Sequence, residues 1–190
     1  LVGTVIPFDF AAMIPLQAYN SLQTTEEKQR LSKIKHLIIG GGAIDQTLER
    51  ELKMFPNAIY STYGMTETLS HIALRRISGA QASSYYTPLP TVGLALSEDN
   101  RLIVDAPLVA DEPFTTNDIA ELRPDSSFRI IGRIDNVINS GGIKIQIEEV
   151  EQVLQPHITG NFAITSIPHP KLGEAIILMI EESDDPVYVE

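Results

Sequence analysis

The chain contains no cysteine among its 190 residues. Disulfides, thiolate metal sites and a cysteine nucleophile are thereby excluded, and the composition fits a reducing, cytoplasmic setting. Basic residues are scarce as well: 14 Lys and Arg face 25 Asp and Glu, a formal charge of −11. That balance opposes attraction to phosphate backbones, so nucleic acid is not an expected partner. Long apolar runs are missing too. The longest, "EAIILMIEE", is closed by carboxylates and falls far short of the ~20 residues that cross a bilayer, so membrane insertion is not expected. The first residue is Leu1, and "LVGTVIPF" lacks the basic flank and cleavage site of a signal peptide. An internal piece of a longer protein is the expectation.

What is present is a foldable chain, 43% hydrophobic and 21% charged. "TVIPF" reads as a buried strand, and Asp9 offers a cap for a helical pattern in "DFAAMIPLQAYNSL" that Pro15 interrupts. "TTEEKQRLSKI" reads as a short surface helix. The apolar run "HLIIG", the glycines Gly40, Gly41 and Gly42, the helix "DQTLERELKMF" with Asp45 at its cap, and the run "NAIYSTYG" form a βαβ pattern. Such a unit belongs to a parallel sheet, and its ligands sit beyond the carboxyl ends of the strands. The glycine loop and "TYGMTE" both fall at such ends.

From "TVGLAL" onward the texture changes to short strands and turns, with turn signals at Asp99-Asn100 and Pro124-Asp125. A small β subdomain over about residues 88–134 is expected, closing a first domain of residues 1–134. "RIDNVINSGGIKIQIEEVEQVL" gives a hairpin at Gly141-Gly142 and a short amphipathic helix. "NFAITSIPHP" and "GEAIILMIEE" add two strands. Residues 135–190 are thus expected to begin a second, α+β domain that is left incomplete.

Two readings of "TYGMTE" stand: an ordinary polar loop, or the parts of a nucleotide site. In the second, Tyr63 offers a stacking face, Thr66 a hydroxyl and Glu67 a hard oxygen for Mg²⁺. The glycines equally allow a tight turn or the close approach of backbone to a flat ligand. In "FTTND", Asp118 either caps a turn or accepts hydrogen bonds from ribose hydroxyls. Arg133 and Asp135 form either a surface ion pair or a ribose contact beside a swivelling backbone. No histidine pair has metal-ligand spacing, and no G-x-S-x-G elbow is present.

In order and separation, "TYGMTE", "FTTND" and "GRIDNVINSGGIKIQIEEVE" resemble the core motifs of the acyl-adenylate-forming superfamily, which includes acyl-CoA synthetases. "TYGMTETLSHIAL" most resembles the o-succinylbenzoate–CoA ligases of menaquinone biosynthesis. The resemblance implies an α/β fold: the C-terminal part of a large parallel-sheet domain, a β subdomain, and the start of a small C-terminal domain. It implies ATP, Mg²⁺ and CoA, with a small carboxylic acid as the second substrate.

By motif, Tyr63 and its neighbour Gly64 would border adenine, Thr66 the α-phosphate and Glu67 the metal, with Thr66 and Glu67 serving catalysis. Gly41, Gly42 and Ala43 would line the adenine and acyl pocket, and Asp118 and Arg133 would hold the ribose. Asp135 would be the hinge, Gly141 and Gly142 would face the CoA arm, and Ser70 and His71 would border the acyl group. Two departures stand out. The family's glycine before the aspartate is Asn117; asparagine tolerates the left-handed backbone that glycine supplies, so a turn there is expected to survive. The phosphate loop and adenylation lysine of the superfamily have no counterpart here. The activity implied is a carboxylate–CoA ligase working through an acyl-adenylate. Another aromatic or fatty acid as substrate, or a non-catalytic nucleotide-binding module, stand as alternatives.

Overall fold

The computed structural model describes residues 8–181, so most of the expected strand "TVIPF" lies outside the described residues. Two compact units emerge. One comprises the chain up to Ala95 with Ile103–Phe114 and Leu122–Arg129; the other comprises Leu96–Leu102, Thr115–Glu121 and the chain from Ile130.

The first unit is built on a sheet of order β1-β2-β3-β4-β5. Strands β1 (Phe10–Met13), β2 (His36–Ile39) and β3 (Ala58–Gly64) run parallel. Strands β4 (His71–Arg76) and β5 (Thr87–Pro88) continue the sheet antiparallel. Leu37, Ile39 and Ile59 of β2 and β3 are fully buried. They pack against Ala18 and Leu22 of α1 (Pro15–Leu22), Leu31 of α2 (Thr25–Leu31), and Leu48 and Leu52 of α3 (Gln46–Lys53). Each such Leu or Ile side chain contributes about 1.5–3 kcal/mol by leaving water.

The βαβ unit lies where the apolar periodicity puts it. Asp45 caps α3, its carboxylate accepting from the amides of Thr47 (2.8 Å) and Leu48 (3.1 Å). The expectation at Asp9 is corrected. Asp9 precedes a strand, not a helix, and pairs with Lys35. Pro15 stands in the first turn of α1, where no intrahelical N–H is needed, so it starts the helix instead of breaking it.

A four-stranded sheet of order β6-β7-β8-β9 comprises β6 (Gly93–Leu96), β7 (Arg101–Asp105), β8 (Phe114–Leu122) and β9 (Phe128–Arg133). Its turns hold Asn100 (φ 61°) and Ser126 (φ 64°) in the left-handed region. Asn117 differs from expectation. It lies within β8, and the positive-φ non-glycine residues among the described residues are Leu69, Asn100 and Ser126. Asparagine therefore replaces glycine without any demand on the backbone.

The second unit holds an antiparallel sheet of order β11-β10-β13-β12. Its strands are β10 (Val137–Ser140), β11 (Ile143–Gln146), β12 (Phe162–His169) and β13 (Gly173–Ile180), with α4 (Ile147–Leu154) following β11. Gly141 (φ 61°) and Gly142 (φ 86°) make the two-residue turn between β10 and β11. Consecutive left-handed residues give the turn whose twist matches a hairpin, and glycine adopts them at no steric cost.

Gly64 is required for a different reason. Its φ is ordinary, but a Cβ there would strike the Ser70 carbonyl and lie 2.6 Å from His71 Cα, where β3 meets β4 with a register shift. Backbone cannot yield as a flexible side chain does. Gly64→Ala is expected to destabilise the fold by about 1–3 kcal/mol, measured by urea denaturation; an unchanged midpoint would show that the two strands separate freely.

Candidate functional site

In the first unit, the candidate residues converge at the carboxyl ends of β2 and β3. Gly40 follows β2 and lies beside β3: a Cβ there would collide with the Thr62 hydroxyl. Gly41, at φ 79°, turns the chain past Ile14, and Gly42 passes Pro15. Gly40, the first residue of this loop, thus lies against the strand that carries Tyr63.

Tyr63 is half-buried. Its ring meets Phe128 edge-on, with centroids 5.2 Å apart and planes at 78°, and lies 5.8 Å from Tyr86. Tyr86 and Phe128 stack at 5.5 Å and exchange backbone hydrogen bonds of 2.6 and 3.0 Å. The Tyr86 hydroxyl also shares a 2.9 Å hydrogen bond with Ser61 on β3. Three rings therefore brace one another, each in contact with the other two.

Beyond Gly64, residues Thr66–Thr68 form a single 3₁₀ turn that leaves Thr66 and Glu67 exposed. Thr68 is buried and holds this turn. Its hydroxyl accepts from the Met65 amide at 3.0 Å and lies within donating distance of the carbonyls of Met65 (3.0 Å) and Ser70 (2.7 Å). Leu69 follows at φ 59° with 81% of its surface exposed, an unusual backbone for a bulky residue. Ser70 and His71 come next, their Oγ and Nδ1 3.3 Å apart, with His71 opposite Gly64 in the β3–β4 register. Ser70, His71 and Gly64 are thus neighbours.

Sequence reasoning passed over the support beneath this loop. Arg75 on β4 is 9% exposed and makes a bidentate pair with Glu49 of α3, at 2.6 and 2.8 Å. It also donates to the Ser83 carbonyl at 3.3 Å, and its guanidinium lies 5.4 Å from the Tyr86 ring centroid. Burial pulls the Arg75 pKa down, but the hydrogen bonds and charge of Glu49, joined by those of Tyr86, outweigh it and hold the group above its ordinary value. A signal existed. In "IALRRI", Ala73, Arg75 and Ile77 alternate onto one face, and all three are buried. An arginine on the apolar face of a strand announces a partner.

The remaining candidates belong to the second unit. Asp118 projects from β8 with its side chain 13% exposed, and Arg133 ends β9. Arg133 spans two carboxylates, Asp118 at 3.2 Å and Asp135 at 2.9 Å. Asn117 donates to the same Asp135 at 3.2 Å, a contact that the family's glycine could not make. Asp135 lies in a 3₁₀ turn, Ile134–Asn136. Gln146, 8% exposed, fixes that turn from below by donating to the Arg133 carbonyl at 2.9 Å, and it packs where any Cβ on Gly132 would go. Gly141 and Gly142 lie at the β10–β11 turn, where the Gly141 amide donates to the Leu172 carbonyl at 2.8 Å.

No group of three or more His, Asp or Glu side chains among the described residues could by itself hold a metal. Glu67 offers one exposed carboxylate beside the Thr66 hydroxyl. That set fits Mg²⁺, which binds through one or two carboxylates, with water and substrate phosphate completing its shell. No helix among the described residues is long and apolar enough to cross a membrane.

Known proteins resemble this chain in both sequence and fold. It is 27% identical to the 2-succinylbenzoate–CoA ligase of Haemophilus influenzae and 28% identical to a 4-chlorobenzoate–CoA ligase of Arthrobacter, over 79% and 87% of its length. It spans 36% and 38% of those relatives' lengths. The crystal structure of an acyl-CoA synthetase (AMP-forming)/AMP-acid ligase II-like protein from Dyadobacter fermentans superposes with a TM-score of 0.68 at 31% identity. That match covers 97% of this chain and 54% of the other. The α/β architecture is accordingly that of the C-terminal portion of adenylate-forming enzymes. Residues 4–113 match the family described as AMP-binding enzyme, and the chain belongs to that family.

Proposed function

We propose that the protein carrying this chain is an AMP-forming acid–thiol ligase. The observation that carries this reading is the juxtaposition of the glycine loop with the strand bearing Tyr63 and the exposed Thr66-Glu67 turn, in a chain of the AMP-binding family. In the first half-reaction a carboxylate oxygen of the acid attacks the α-phosphorus of ATP, and pyrophosphate leaves. In the second, the CoA thiol attacks the acyl carbonyl, and AMP leaves.

Tyr63 stacks on adenine, and the backbone of Gly41, Gly42, Ala43 and Gly64 admits the flat ring system at close range. Asp118 accepts from the ribose hydroxyls and Arg133 donates to their oxygens. Thr66 donates to an α-phosphate oxygen as negative charge gathers there, a stabilisation that acts where charge develops. Mg²⁺ held by Glu67 would offset phosphate charge. Most of the remaining rate enhancement is positioning. Asp135 serves as the hinge, and Gly141-Gly142 border the CoA arm.

The acid is o-succinylbenzoate in this reading. Both relatives compared above are named for aryl carboxylates, one of them for 2-succinylbenzoate. Ser70 and His71, beside Gly64 and next to exposed Leu69, border the acyl group. Cytoplasmic location fits the lack of cysteine.

The direct test follows pyrophosphate release and thioester formation by the full-length protein across a panel of acids. Turnover is expected with o-succinylbenzoate; turnover with another acid would correct the substrate, and silence across the panel with AMP still bound would identify a non-catalytic nucleotide-binding protein. Glu67→Gln is expected to slow adenylate formation by at least about a hundredfold while changing AMP affinity less than about threefold. Equal losses in both would remove Glu67 from the metal.

A further inference from the structure

We propose that Arg75 is a positioning residue for the nucleotide base, acting through Tyr86 and Tyr63, and that Glu49 holds it in place. The inference rests on Tyr63 being the base-stacking ring. Arg75 touches neither candidate loop, yet it connects the elements that carry both. Through Glu49 it grips the helix that begins three residues after Ala43, with two short hydrogen bonds from one guanidinium edge. Through its position 5.4 Å from the Tyr86 ring it bears on the residue that braces Tyr63. Tyr86 in turn is fixed to β3 by its hydroxyl on Ser61, two residues before Tyr63. Glu49, Arg75, Tyr86, Ser61 and Tyr63 thus form one connected chain of contacts that runs beneath the candidate base site.

The geometry suits positioning. A stacking ring must present one orientation, and Tyr63 sits one residue before the end of β3, where the β3–β4 register shifts. Tyr86 and Phe128 limit the tilt of Tyr63, and Tyr86 is itself pinned by a hydroxyl bond, reciprocal backbone bonds and the arginine. A lysine at position 75 would keep the charge but lose the planar fork that spans Glu49 while lying against Tyr86.

A double-mutant cycle in the full-length protein tests this. Tyr63→Ala is expected to raise the KM for ATP about tenfold, the size of one lost base stack. Arg75→Lys should raise the same KM roughly fivefold, with the KM for the acid and the kcat changed less than about twofold. In the Tyr63→Ala background, Arg75→Lys should add nothing further, because it acts through the ring. Tyr86→Phe, which keeps the ring and removes the hydroxyl that bonds Ser61 and acts on Arg75, should reproduce the effect at about two- to threefold.

If Arg75→Lys and Tyr63→Ala multiply independently, or if Arg75→Lys shifts the acid and ATP constants alike, Arg75 is only a fold-stabilising residue and the inference is overturned. If Tyr63→Ala leaves the KM for ATP unchanged, the stacking role itself fails and takes the inference with it. Should Arg75→Lys not fold, the Tyr86→Phe arm decides: no change in the KM for ATP overturns the inference.

Discussion

A guanidinium taken out of water must be paired, and in this protein that requirement fixes the geometry around the candidate base site. Arg75 is buried on the inner face of β4 and answered by both oxygens of Glu49 on α3. Breaking a fully buried pair costs about 3–5 kcal/mol, less here because a third of the Glu49 side chain stays in water. A hydrophobic pair of the same volume could fill the space. It could not also donate to the Ser83 carbonyl and lie against Tyr86, so the arginine determines where the next segment of chain runs. The three-ring set of Tyr63, Tyr86 and Phe128 depends on that course.

The second unit meets a similar problem differently. Arg133 is half exposed and bridges two carboxylates, an arrangement that water screens and that adds little stability. Its worth lies in presentation. Asp118 is the least exposed of the three groups, and its ion pair with the arginine at 3.2 Å restrains its carboxylate. Asn117 adds a further donor to Asp135, so this chain ties the 3₁₀ turn at 134–136 to β8 through a side chain that glycine lacks.

Much of the fold was legible in the sequence, because its signals were local. Asp45 capping α3, the period of "HLIIG", and the paired glycines at 141 and 142 each act within a few residues, and each element formed where its signal lay. The errors arose where one residue admits two local roles. Pro15 both breaks helices and begins them, and only the hydrogen bond from the Ile14 amide to Gln17 shows which applies. Asn117 tolerates left-handed backbone but also extends into strands, and tertiary pairing in β8 chose the latter. For the candidate site, the residues named from their motifs lie in short contiguous stretches of sequence, on loops and at strand ends. The residues passed over, Thr68, Arg75, Tyr86, Phe128 and Gln146, act through contacts distant in sequence or through their burial. Glu49 and Arg75 stand 26 positions apart, beyond any local pattern.

The claim at the centre of this account is that Asp118 reads the ribose of a bound nucleotide. Its most direct test compares the affinities of AMP and its deoxyribose analogues for the full-length protein and for Asp118→Ala. Removing the recognised hydroxyl should weaken binding to the unaltered protein about tenfold, and should make no difference once Asp118 is gone. Equal penalties in both proteins, or an Asp118→Ala variant that binds AMP as tightly as before, would contradict it.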